Sequence, residues 1–248
     1  MKDDAFKDSH LDALRSSSGV ALGVLPRPAL GSGARNTARP SKGLANNFYR
    51  RKGKRIIDIM VVLIGLPVIL PVTMLCAMAL WLEGGNPFYR QQRLGAGAQV
   101  FSILKLRTMC RDADSILESH LEADPALRAE WAHSQKLKDD PRITRVGAIL
   151  RKTSLDELPQ FWNVLRGEMS VVGPRPMMPD QLGMYGDPYA YFALRPGITG
   201  AWQVSERNAS SFAYRRTIDT RYQQTLSMWK DLRILFLTVG VVLRRTGY

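Results

Sequence analysis

The polarity pattern is dominated by residues 59–82, IMVVLIGLPVILPVTMLCAMALWL, 24 positions without a charge. A membrane helix needs about 20 apolar residues, and a core helix is seldom apolar on every face for so long. Pro67 and Pro71 fall in its middle, where each removes a helix hydrogen bond and favours a kink. Cations flank both sides: Arg50, Arg51, Lys52, Lys54 and Arg55 before, Arg90, Arg93, Lys105 and Arg107 after. The positive-inside rule then puts both ends in the cytoplasm. A hairpin meets that condition and a straight span does not. Two legs of about 12 residues, roughly 18 Å each, would enter one leaflet of a hydrocarbon core roughly 30 Å thick and return. Composition alone leaves a proline-kinked span open as well. Asp58 is the only acid near this segment and follows Lys54 and Arg55 within helical reach. Pairing there would make a carboxylate tolerable at the interface, an anchoring role.

Elsewhere, strand-like runs occur at Gln99–Leu104 and around Ser170–Val172. Helical patterns cover Asp112–Glu122, Pro125–Leu137, Leu155–Leu165 and Ser211–Gln224. The apolar run Ile234–Leu243, flanked by Arg233, Arg244 and Arg245, is too short to span. It fits an interfacial helix or a core helix equally. Residues 1–47 show no hydrophobic period, and Leu22 to Gly43 is rich in Gly, Pro, Ala, Ser and Arg. Val20–Leu25 is too short for a secretory signal and is followed by Pro26, Arg27 and Pro28. The pattern therefore predicts a basic arm at 1–47, a membrane-inserted segment at 48–83 and a soluble domain at 84–248.

Length and charge narrow the function. The 248 residues suffice to bury a core. Two cysteines exclude a disulfide-built scaffold, and three histidines without metal-like spacing argue against a zinc site. The net charge of +13 is concentrated: residues 13–57 carry ten cations and no acid, residues 58–248 only +5. A basic arm suits nucleic acid, anionic lipid or an acidic substrate. The soluble part lacks the aromatic-basic pattern of single-strand binders, so no nucleic-acid partner is expected.

The densest chemistry lies in Asp140–Pro176, DPRITRVGAILRKTSLDELPQFWNVLRGEMSVVGPRP. Ser154-x-x-Glu157 reads on its own as a helix capping box, with Asp156 as an acid in the first turn. The capping box leaves the cations unexplained: Arg142, Arg145, Arg151 and Lys152 before the pair, Arg166 and Arg175 after. An acidic pair among so many cations suggests a phosphate-handling site. One carboxylate can hold Mg²⁺, which takes oxygen ligands and shares phosphate oxygens. The other can attack phosphorus, with arginines binding phosphate in bidentate fashion. Pro174 and Pro176 fix the backbone around Arg175 and preorganise its guanidinium.

These motifs, taken in order, resemble the bacterial sugar transferases, small monotopic phosphoglycosyl transferases. The resemblance runs from about Lys54 to Tyr248. It rests on Lys54-Arg55-x-x-Asp58, Pro71, Lys105-Leu-Arg107-Thr108-Met109, Asp140-Pro-Arg142-Ile-Thr144 and Leu150 to Gln160. It continues through Asn163-Val164-Leu165-x-Gly167, Ser170 to Pro176 and Arg195-Pro196-Gly197-Ile-Thr199-Gly200. The family resemblance implies an α+β, mainly helical fold: a re-entrant membrane helix hairpin plus a small cytosolic catalytic domain with interfacial helices. It implies transfer of a hexose 1-phosphate from a UDP-sugar to undecaprenyl phosphate, with UMP released, at the cytoplasmic face of the bacterial inner membrane. By the same resemblance Asp156 is the nucleophile that forms a covalent phosphosugar, and Glu157 holds Mg²⁺. Lys105, Arg151 and Arg175 match positions that face phosphate. Lys54, Arg55, Asp58 and Pro71 belong to the membrane anchor. The usual Ser-Pro break is Leu70-Pro71 here, without the hydroxyl that would recapture a freed carbonyl. Ser205-Glu206-Arg207 departs from the more usual Gly-Arg in a stretch expected to contact sugar or nucleotide. The resemblance is strongest to the exopolysaccharide-production branch, which favours galactose over glucose. Two other readings compete: a membrane glycosyltransferase that releases UDP, and a non-catalytic membrane scaffold. Neither the sugar nor homo-oligomer formation is legible in the sequence.

Overall fold

A computed structural model describes residues 48–134, 137, 140–205 and 212–243. The basic arm expected at 1–47 lies outside the described residues, as does the predicted helix start at Ser211. A wide helical turn, Tyr49–Gly53, leads into α1, Lys54–Leu82. Then follow β1 (Phe88–Leu94), β2 (Val100–Leu106), α2 (Ala113–Ala123), α3 (Pro125–Ser134) and α4 (Arg145–Thr153). A 3₁₀ turn at Leu155–Glu157 precedes α5 (Gln160–Arg166) and β3 (Ser170–Val172). After a 3₁₀ turn at Pro179–Gln181 come α6 (Leu182–Tyr185), α7 (Tyr189–Phe192), β4 (Gly197–Thr199), α8 (Phe212–Gln224) and α9 (Met228–Leu243). The fold is mainly helical with two small sheets, one antiparallel (β1–β2) and one parallel (β3–β4).

α1 is long and apolar enough to cross a membrane, and its helical pairing runs through Pro67 and Pro71. Burial is confined to its ends. Val62 is fully buried with Ile103, Val164, Met169 and Ile234, and Leu80 with Leu106 and Leu150. No residue from 63 to 79 is buried. Both flanks of the apolar segment therefore pack on the same domain while its middle stands clear of it.

The base of α1 is fixed by polar contacts that differ from the expected pairing of Asp58 with Lys54 and Arg55. Lys54 Nζ instead pairs with Asp231 Oδ2 of α9 at 2.6 Å. Tyr49 and Tyr222 hydroxyls donate to the same carboxylate at 2.6 Å each. Arg55 donates to the carbonyls of Val164 and Leu165 at the end of α5, where exposed carbonyls attract a cation. Asp58 Oδ1 accepts from Ser170 Oγ and Val171 N, both at 2.9 Å. The three residues anchor the helix to the domain through three separate contacts. Pro71 makes no such contact and is exposed.

Several element predictions change. β1 was missed because only Leu94 of its seven residues is buried, which leaves no alternation to read. The helix expected over Leu155–Leu165 is split. Pro159 has no N–H to offer the Leu155 carbonyl, so a 3₁₀ turn ends there and α5 restarts after it. The capping box does not form: Ser154 has φ 58° and ends α4, its N–H donating to the Arg151 carbonyl at 3.1 Å. α4 itself was missed, although Thr144 caps it by accepting from Gly147 N at 2.9 Å. Finally, α9 begins six residues before Ile234. Asp231 and Ile234 face the core, while Trp229 and Phe236 are 76% and 79% exposed. One face of α9 is thus core, and another is apolar and open.

Candidate active site

β2, the α4–α5 connection and the β3–α6 loop converge on one cavity of about 1100 Å³. Lys105, Arg151, Asp156, Glu157 and Arg175 all line it. The structure thus brings together every residue that the sequence reading assigned to chemistry or phosphate. Lys54, Arg55, Asp58 and Pro71 are not among its lining.

Local structure explains each placement. Asp156 and Glu157 sit on the 3₁₀ turn, which the left-handed Ser154 and Pro159 bracket. Lys105, next to last in β2, donates from Nζ to Glu157 Oε1 at 2.8 Å. Arg151 lies in the last turn of α4 and donates from Nε to Thr108 Oγ1 at 2.8 Å. α4 approaches the segment that follows β2 so closely that a Cβ at Gly147 would lie 2.2 Å from the Thr108 carbonyl oxygen. Only glycine fits there. Beneath this contact, Arg142 forms a two-pronged pair with Asp140, at 2.8 and 2.7 Å. Arg142 is therefore consumed internally rather than offered to a ligand.

Arg175 sits between two prolines on the extension of β3. Its carbonyl accepts from Arg215 Nη2, and its guanidinium lies 6.0 Å from the Trp202 ring centroid. The β3 extension meets β4 through glycines: a Cβ at Gly197 would fall 2.1 Å from Gly173 N. This contact fixes the loop that carries Arg175. Thr108, Trp202 and Gln203 were not singled out by the sequence, though all three also line the cavity. Thr108 lies inside the Lys105–Met109 motif, which was the available signal.

The carboxylates are not equivalent. Asp156 is pushed up to about 6, mainly by burial and further by its neighbour Glu157, while Lys105 and Arg151 oppose the shift. Its carboxylate takes no side-chain hydrogen bond from the described residues. Glu157 is held by Lys105. An acid raised in this way, in a cleft, beside named cations, has the character of a reacting group.

The donor set also fits a magnesium ion. Among the described residues no group of three or more His, Cys, Asp or Glu is gathered, so an all-protein cage is absent. Mg²⁺ commonly takes one or two carboxylates and completes its shell with water and phosphate oxygens. Glu157 beside the raised Asp156 offers that: two adjacent acids whose mutual repulsion a cation relieves.

Together, the structure defines a long apolar helix held to the domain at both ends and a cavity lined by two acids, Asp156 and Glu157, and the cations Lys105, Arg151 and Arg175. Residues 49–245 match the bacterial sugar transferase family, and the chain belongs to it. It is 47% identical over 210 residues to a UDP-galactose-lipid carrier transferase of Erwinia amylovora, covering 84% of this chain and 44% of that protein. It is 44% identical to the exopolysaccharide production protein ExoY of Rhizobium meliloti, covering 85% of this chain and 91% of the relative. An undecaprenyl-phosphate galactose phosphotransferase of Salmonella typhimurium is 42% identical, with 82% of this chain and 44% of the relative covered. The chain thus spans less than half the length of the Erwinia and Salmonella proteins and most of the Rhizobium one.

Proposed function

We propose that this protein is a phosphoglycosyl transferase that moves a hexose 1-phosphate from a UDP-sugar to undecaprenyl phosphate. The product would start a repeat unit in exopolysaccharide or O-antigen synthesis. The observation that carries the proposal is the cavity itself: a raised Asp156 carboxylate, without a side-chain hydrogen bond from the described residues, facing the same space as Lys105, Arg151 and Arg175. The names of the relatives supply the substrate class.

In the proposed sequence, ionised Asp156 attacks the sugar-bearing phosphorus. The bond from that phosphorus to the UMP oxygen breaks, and UMP leaves with the electron pair. A phosphate oxygen of the lipid then attacks the aspartyl phosphosugar and frees Asp156. Two displacements at one phosphorus let a soluble donor and a lipid acceptor use the same cavity in turn. Lys105, Arg151 and Arg175 bind the phosphate oxygens and offset the charge repulsion between carboxylate and diphosphate. Glu157, held beside Asp156 by Lys105, is the residue that would bind Mg²⁺. Bound there, Mg²⁺ would neutralise the diphosphate and ease departure of UMP.

The anchor is a re-entrant hairpin at the cytoplasmic face of the inner membrane in this reading. Support comes from Val62 and Leu80, which both pack on the one domain while residues between them stand free. A straight span would separate those ends by the bilayer. The exposed Trp81, Leu82, Trp229 and Phe236 add apolar surface suited to the same membrane face.

The test is turnover by solubilised protein with undecaprenyl phosphate, Mg²⁺ and a panel of UDP-hexoses. UMP release that depends on lipid phosphate and Asp156 supports the reading. UDP release would identify a glycosyltransferase instead.

A further inference from the structure

Gln203 has an arrangement that the catalytic sequence does not use. It is 8% exposed, and neither Oε1 nor Nε2 has a hydrogen-bond partner among the described residues. A primary amide carries two donor hydrogens and acceptor lone pairs. Buried amides are nearly always paired, so an unpaired one calls for an explanation. Gln203 lines the cavity. Gly200 leaves it room, since a Cβ there would lie 2.8 Å from Gln203 Oε1.

The surroundings restrict what can meet this amide. Thr199 and Thr238 hydroxyls bond each other at 2.7 Å, and Thr238 also donates to the Ile234 carbonyl. They are already engaged. Ile198, Val204 and Val241 are apolar, and Trp202 adds an aromatic ring. A hexose brings several hydroxyls, each needing a partner, and this wall offers one amide. A pyrimidine imide brings flat apolar faces and one edge with a donor beside an acceptor. That edge is the complement of a carboxamide. Arg175 stands 6.0 Å from the Trp202 ring, so a diphosphate held by Arg175 adjoins this wall.

From this we infer that Gln203 reads the uracil edge of the nucleotide donor, pairing its amide with N3–H and a ring carbonyl, on the wall formed with Trp202. The inference rests on the UDP-sugar reading above and adds the residue that selects the base. It has a stability corollary. Without nucleotide, an unpaired buried amide is a liability that an apolar side chain of similar size removes. Gln203→Leu and Gln203→Met should therefore melt at the same temperature as the wild type or higher, while losing base recognition.

The test uses the full chain in nanodiscs and calorimetric titration with UMP and N3-methyl-UMP, whose methyl group removes the donor. The wild type should bind the methylated nucleotide about tenfold more weakly or worse, the size expected for a lost buried hydrogen bond. Both variants should bind UMP about tenfold more weakly than wild type and cease to distinguish the two nucleotides. Unchanged UMP affinity in the variants, with an altered ranking of UDP-hexoses, would overturn the inference in favour of a sugar contact. A lower melting temperature in both variants would overturn it in favour of a structural amide. Failure of the wild type itself to bind UMP would overturn the donor reading along with it.

Discussion

Two acids beside a lysine occupy this domain, Asp231 buried and Asp156 half-buried, and they are treated in opposite ways. Asp231 receives Lys54 and the hydroxyls of Tyr49 and Tyr222, all at 2.6 Å. Asp156 lies near Lys105 and Arg151 and takes no side-chain hydrogen bond from the described residues. Lys105 instead pairs with Glu157. A carboxylate surrounded by donors is a fixed anion and a fastener. A carboxylate with charges around it but no side-chain donor on it is stabilised less as an anion and keeps lone pairs open to the cavity. The first acid clamps the base of the apolar helix to α9, and the second faces an open cavity. Charge proximity is common to both; the number of hydrogen bonds received separates the fastening acid from the one that faces the cavity.

Substitutions should separate them sharply. Asp156→Asn should reduce UMP release by about a thousandfold or more, as loss of a nucleophile does. Its melting temperature should stay level or rise. The sign follows from the shift: a folded pKa near 6 against an ordinary 3.8 means the native state holds its proton longer. Stability then falls as pH rises between those values, and asparagine removes that penalty at neutral pH. Asp231→Asn should do the reverse. Breaking a buried pair strands Lys54, at a cost of about 3–5 kcal/mol, read as a clear fall in melting temperature and loosening of the membrane segment.

Lys105→Met is the next largest effect, a loss of about tenfold to a hundredfold in turnover from weaker phosphate binding and charge stabilisation. It carries a second readout. Lys105 opposes the rise of Asp156, so removing it should move the acidic limb of the rate profile to higher pH. In the wild type, formation of the phosphosugar should climb with pH through about 6 as Asp156 ionises. The smallest effect concerns the arm: deleting residues 1–45 should leave turnover in detergent largely intact. Near-complete loss would show that the arm belongs to the site.

The chain's sequence disclosed the cavity better than its scaffold. Arg151, Asp156, Glu157 and Arg175 drew attention as acids and cations crowded into Asp140–Pro176, and Lys105 as a site residue only through the family resemblance; all five line one cavity. Residues 59–82 were legible because length and lack of charge are one-dimensional signals. β1 was not, because an exposed edge strand with only Leu94 buried has no alternation to show. The role of Ser154 was misread because Ser-x-x-Glu is a local rule, and the backbone at Ser154 is set by the end of α4 instead. Asp58 was assigned to its helical neighbours for the same reason. Its actual partners, Ser170 and Val171, lie more than a hundred residues away. Gln203 could not stand out, since an unpaired amide is defined only once its surroundings are folded.

The central claim is that Asp156 becomes covalently attached to the phosphosugar. It is tested most directly by intact-mass measurement of the full protein after exposure to the donor and Mg²⁺ without lipid acceptor. The wild type should gain the mass of one hexose phosphate, mapped to the peptide containing Asp156, and lose it when undecaprenyl phosphate is added. Release of UMP from the wild type with no such adduct, or an adduct that persists in Asp156→Asn, would contradict it.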